Sequence, residues 1–134
     1  MTEHITQQRI LLACGSGDTR LWRNNVGTGW AGAATKVQRR GMVAVEPGDV
    51  VIRQGRPLHA GLCVGSSDLI GYRVVDGVAQ FVALEVKSAT GRPTAQQTQF
   101  LDHITSAGGC AGIVRSVEDA QSLLGSDAKA EPIR

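Results

Sequence analysis

At 134 residues, 42% apolar and 19% charged, the chain suits one soluble globular domain with a real core and excludes an intrinsically disordered protein. No run approaches the ~18 apolar residues of a membrane span, and MTEHITQQR has no apolar signal-peptide core, so a cytoplasmic location without a membrane partner is expected. A net charge of +2 does not by itself announce a nucleic-acid binder, and Cys14, Cys63, Cys110, His4, His59 and His103 are too scattered to suggest zinc; reduced, mostly buried thiols are expected.

Residues 3–13, EHITQQRILLA, have helical spacing with Ile10 and Leu11 facing inward, and Gly15-Ser16-Gly17 stops them. LWRNN (21–25) predicts a short strand running into the loop VGTGWAGA. MVAV (42–45) and VVI (50–52), joined by EPGD, predict a small hairpin because Pro-Gly favours the turn. DLIGYRVV (68–75) and VAQFVALEVKS (78–88) predict two further strands, joined by Asp76-Gly77, a strong signal for a type I′ hairpin.

Thr94 is placed to cap a helix running to about Ala107, with Phe100, Leu101 and Ile104 inward, Asp102 and His103 solvated, and Gly108-Gly109 at its end. CAGIVRS (110–116) predicts a buried strand, and Ser116 caps a last helix, VEDAQSLL. The strand, helix and strand of 78–88, 94–107 and 110–116 form one parallel crossover in an otherwise antiparallel sheet. The expected class is therefore α/β, a mixed central sheet flanked by helices in the order α-β-β-β-α-β-α. Residues 1–125 make a single domain, 31–60 a basic loop or hairpin insertion, and 126–134 a frayed tail.

Charge is concentrated in that insertion. Lys36, Arg39, Arg40, Arg53 and Arg56 stand against Glu46 and Asp49, a net +3. They suit either phosphate contacts or a solvated loop. Arg23, Asn24 and Asn25 suit either DNA contact or a turn. Trp22 and Trp30 are expected in the core, with base stacking as the other reading.

In the stretch FVALEVK (81–87), strand alternation puts Val82, Leu84 and Val86 on one face and Phe81, Ala83, Glu85 and Lys87 on the other. With Asp76 and Gly77 as the two loop residues, Val75 faces Val78, and the register carried down the hairpin sets Asp68 opposite Glu85. Two opposed carboxylates would have Cβ atoms about 4.5–5.5 Å apart, a destabilising arrangement unless something compensates. A divalent cation compensates, since Mg²⁺ is commonly held by one or two carboxylates, substrate phosphate oxygens and waters. Lys87, two residues on, would orient or deprotonate an attacking water. A solvated Glu85–Lys87 ion pair is the plainer reading.

GLCVGSSDLIG (61–71), FVALEVKSATGRPTAQQTQFL (81–101) and AGGCAGIVRSVEDA (107–120) resemble the VRR-NUC family, a branch of the PD-(D/E)xK nuclease superfamily, in its small single-domain phage or prophage type. The first helix with Glu3 and Gln7, and LWRNNVG (21–27), resemble the family's opening, so the likeness spans nearly the whole chain. It implies a restriction-endonuclease-like core, with Asp68, Glu85 and the Val86 backbone carbonyl as ligands of Mg²⁺, for which Mn²⁺ can substitute. It implies Lys87 as the catalytic lysine, Gln97 beside the active site, and Glu3 near the metal. Gln97 also has capping-box spacing from Thr94, and Glu3 also suits first-turn dipole chemistry.

Two departures stand out. Ser67 occupies the place of the superfamily's usual proline, and 31–60 matches no family motif, so its DNA role rests on charge. The resemblance implies a Mg²⁺-dependent DNA endonuclease acting as a twofold homodimer on branched DNA such as four-way junctions, without a nucleotide cofactor, in a bacterial or phage-infected cell. A nuclease for flap or linear DNA, or a catalytically idle DNA-binding module on the same fold, are the alternatives.

Overall fold

The computed structural model describes residues 2–29 and 32–125; Trp30, Ala31 and the expected tail 126–134 lie outside the described residues. Helix α1 (Glu3–Cys14) starts where the Thr2 side chain accepts from the Ile5 amide. Strand β1 (Thr19–Arg23) follows, then a two-stranded arm, β2 (Gly27–Gly29) with β3 (Leu58–Ala60). β4 (Leu69–Val75), β5 (Val78–Val86), α2 (Ala95–Ser106), β6 (Cys110–Val114) and α3 (Val117–Gly125) complete the chain. Without the arm the order is the expected α-β-β-β-α-β-α.

The main sheet runs β1-β4-β5-β6, with β5 and β6 parallel and the other pairs antiparallel, as the single crossover requires. Asp76 (φ 51) and Gly77 (φ 78) both turn with positive φ, the type I′ signature, and Val75 pairs with Val78 as expected. Leu21, Leu69, Val82, Leu84, Val86 and Val114 pack on one face against Ile10 of α1 and Ala120 of α3. α2 packs on β5 and β6 from the other side and buries Leu101. Buried Arg73 reaches from β4 to Gln80 and to the Leu123 and Leu124 carbonyls, setting a cation at the last turn of α3. No helix among the described residues is long and apolar enough to cross a membrane.

Three expectations need correction. MVAV and VVI are not strands. The Glu46–Asp49 turn does form, closed by Asp49 N to Glu46 O (3.0 Å) and Glu46 N to Asp49 Oδ2 (2.8 Å), but no ladder follows it. Among the described residues no layer covers the arm, so an isolated hairpin would have no face to pack against: residues 32–64 are all exposed, Met42 completely.

Trp22, expected in the core, is 55% exposed because it lies on the side of β1 away from α1 and the main core. The thiols are not mostly buried either: Cys110 is, Cys14 is half-buried, and Cys63 is exposed on the uncovered run before β4.

Candidate active site

The β4–β5 register holds without a slip from Val75↔Val78 to Leu69↔Leu84, so the next residues out, Asp68 and Glu85, come opposite each other. Asp68 is fixed twice. Its carbonyl accepts from the Asn24 amide at 2.8 Å, and its Oδ2 accepts from the Val86 amide at 2.9 Å. The approach to Asp68 is clamped by buried Asn24, whose Nδ2 donates to Ser66 Oγ (2.8 Å) and the Ser67 carbonyl (2.9 Å), and whose Oδ1 accepts from the Leu62 amide (3.0 Å). Gly65 lets this loop touch the start of α2. It has φ +85, and a Cβ there would lie 2.7 Å from the Gln96 backbone.

Glu85 is 1% exposed, its Oε1 3.4 Å from Lys87 Nζ, its buried Oε2 without a hydrogen-bond partner. Both faces of β5 are buried here, so this is not a solvated ion pair. Burial, and after it the Asp68 charge, push the Glu85 carboxyl up from an ordinary 4.5 to about 7, while Lys87 pulls it down. Burial likewise raises Asp68, opposed by the Val86 amide and Lys87. In the metal-free protein burial and the Asp68 charge therefore favour the protonated form of Glu85 below about pH 7.

An orphaned buried carboxylate oxygen beside a second acid fits a hard divalent cation. Among the described residues no three His, Cys, Asp or Glu side chains gather as a metal cage. The donor set is therefore two carboxylates, which suits Mg²⁺ shared with a phosphate rather than a closed structural site.

A cleft of about 280 Å³ opens in front of Asp68, lined by Gln7, Asn24, Asn25, Gly65, Ser66 and Gln97 among others. Gln7 is contributed by the second turn of α1 and Gln97 by the first turn of α2. Gln97 both lines the cleft and caps α2: its Oε1 accepts from the Thr94 amide at 2.9 Å. Glu3 Oε1 accepts from the Ser88 amide at 3.1 Å, tying α1 to the chain just beyond Lys87. Arg23 reaches His4 Nδ1 at 3.1 Å and Asn25 is exposed, whereas the Asn24 side chain is spent internally. Lys36, Arg39, Arg40, Arg53 and Arg56 are all exposed along the arm, away from the two acids in sequence.

Sequence reasoning passed over Arg115, whose guanidinium donates to the Ser88 carbonyl and to the Gly91 carbonyl at 2.7 Å, holding the loop after Lys87. No local signal marks it, since the partner carbonyls are reached only through the β5–β6 pairing. It also passed over the Ser66 hydroxyl, whose place two residues before Asp68 was the one available hint. No protein-family model and no curated protein matches the sequence, so what the site does is read from its own geometry.

Proposed function

We propose that this protein is a metal-dependent DNA endonuclease of the VRR-NUC type on a restriction-endonuclease-like core. The observation that carries the reading is the opposed pair Asp68 and buried Glu85, with Lys87 Nζ 3.4 Å from Glu85 and Asp68 lining a polar cleft. A structural hairpin gains nothing from opposed buried acids, and keeping them costs stability. Asp68 and Glu85, with the Val86 carbonyl, would hold Mg²⁺, which when bound supplies charge stabilisation to the phosphoryl group and lowers the pKa of water.

The chain's own residues do the rest. Lys87, kept close to Glu85, orients the attacking water and takes or gives its proton. Gln7 and Gln97 offer amides to the substrate from the cleft wall. Glu3 and Arg115 hold the loop that follows Lys87, keeping the lysine at a fixed height. The arm cations supply sequence-independent affinity for the DNA backbone. Branched DNA, cut by a twofold homodimer with two symmetric sites, is the substrate that fits paired incision.

The test is a labelled panel of four-way junction, flap, duplex and single-stranded DNA. Cleavage is expected with Mg²⁺ or Mn²⁺, with the junction preferred; Ca²⁺ should support binding with little cutting, because its looser coordination places water less strictly. Undiminished cleavage in EDTA overturns the mechanism, and absence of cleavage on every substrate leaves an idle binding module. Replacing Arg39 and Arg40 together by alanine should weaken binding and flatten its salt dependence by about one unit of log–log slope per lost phosphate contact. An unchanged slope, measured by titration across salt concentrations, would remove the arm from the interface.

A further inference from the structure

Trp22 is a large aromatic side chain left more than half exposed on the same sheet face as the two acids. It pairs with Ile70, which stands two residues along β4 from Asp68 and itself pairs with Ala83, two residues before Glu85. Strand alternation therefore runs one stripe across the face: Asp68 and Glu85 first, then Trp22, Ile70 and Ala83, then Arg20, Tyr72 and Phe81. The row of Trp22 lies roughly 6–7 Å along the strands from the row of the acids, with Trp22 one strand over from Asp68 and two from Glu85.

α2 packs on β5 and β6, and among the described residues no helix packs comparably on the β1 end of this face. Trp22 is 55% exposed and Phe81 40%, while Tyr72 is half-buried. The Trp22 and Tyr72 rings meet at a centroid distance of 5.9 Å and an interplanar angle of 51°, a tilted contact in which Tyr72 props the indole without covering it. Arg20, its guanidinium held by the Gly17 and Thr19 carbonyls, shares the face one row beyond Trp22, so a flat apolar ring stands beside a cation on the face that carries the two acids. That pairing of a stacking surface with positive charge suits single-stranded nucleic acid, in which each base offers a π-face and each phosphate a charge.

We propose that Trp22, propped by Tyr72, is a stacking platform for an unpaired nucleobase next to the scissile phosphate. The substrate class is then DNA with splayed or single-stranded bases at the cut, as at a branch point or flap, rather than continuous duplex. The inference rests on the nuclease reading for its place in the reaction, but the platform itself can be tested without cleavage.

Trp22 and Trp30 are the chain's two tryptophans, so in a Trp30→Phe protein the indole signal reports Trp22 alone. With Ca²⁺ replacing Mg²⁺, oligothymidylate should quench that signal to saturation, and a blunt duplex of equal length should not. Trp22→Ala should weaken single-strand binding about tenfold or more and leave duplex binding unchanged, with Trp22→Phe restoring most of the loss. Absent quenching, or equal losses for single strand and duplex, overturns the platform while leaving any Mg²⁺-dependent cleavage standing. Quenching by a protein that cuts nothing sinks the nuclease reading and keeps the platform. Sedimentation of Trp22→Ala decides the remaining possibility: conversion of a dimer to a monomer makes the patch an interface between copies and overturns the proposal.

Discussion

Lys87→Ala should reduce the rate of DNA cleavage by a factor on the order of 10²–10⁴ while leaving DNA affinity near that of the wild type. Lys87 is 14% exposed at its side chain and its Nζ is 3.4 Å from Glu85, close enough to serve the site's water and too withdrawn to be a main phosphate anchor. Affinity is supplied instead by the exposed arm cations, so the two effects should separate. The same substitution removes a charge that holds the Glu85 carboxyl down, so Glu85 should titrate higher still. Single-turnover cleavage in Mg²⁺ and equilibrium binding in Ca²⁺ check both halves. Binding that weakens as much as cutting slows would make Lys87 an electrostatic anchor and remove it from proton transfer.

The opposed acids were legible in the sequence because everything needed to align them is local. Asp76-Gly77 dictates its own turn geometry, and an unbroken ladder carries that register seven pairs outward to Leu69↔Leu84, one step short of Asp68. The capping box at Thr94 and Gln97 was legible for the same reason. The arm was not, although EPGD forms its turn as expected. A turn fixes only the residues beside it, and strands also need a face to pack against, which the exposed residues 32–64 do not find among the described layers.

Trp22 was misplaced because alternation says which residues share a face, not whether a helix will cover it. α2 lands on β5 and β6, so Ala83 and Glu85 are buried on the very face that leaves Trp22 open. Asn24 illustrates a third limit. Its side chain clamps Leu62, Ser66 and Ser67 from far away in the chain, and nothing nearby distinguishes such an asparagine from a turn former or a DNA contact.

Glu85→Gln should flatten the dependence of stability on pH in the metal-free protein. The folded chain holds the Glu85 proton up to about pH 7, against an ordinary 4.5, so between those values the native state binds more protons than the unfolded one. Stability from this group is full below about pH 4.5 and is lost as pH rises through 7. A shift of that size corresponds to about 3 kcal/mol. The substituted amide keeps the shape of the carboxyl and carries no charge to bury, so the variant should match the wild type at about pH 5 and melt several degrees above it at about pH 8.

Asp68→Asn should share part of this gain, roughly 0.2–1 kcal/mol, since it removes one opposed charge and leaves an oxygen for the Val86 amide. Mg²⁺ should invert the ranking at the higher pH: the wild type gains stability from a ligand bound only by the folded state, and neither variant gains as much. Thermal melts at both pH values, with EDTA and with Mg²⁺, make the comparison. Parallel pH curves for wild type and Glu85→Gln would mean that the pair is not strained, and with it would go the reason for a cation at this site. A destabilising Glu85 is intelligible only as a residue kept for what it binds.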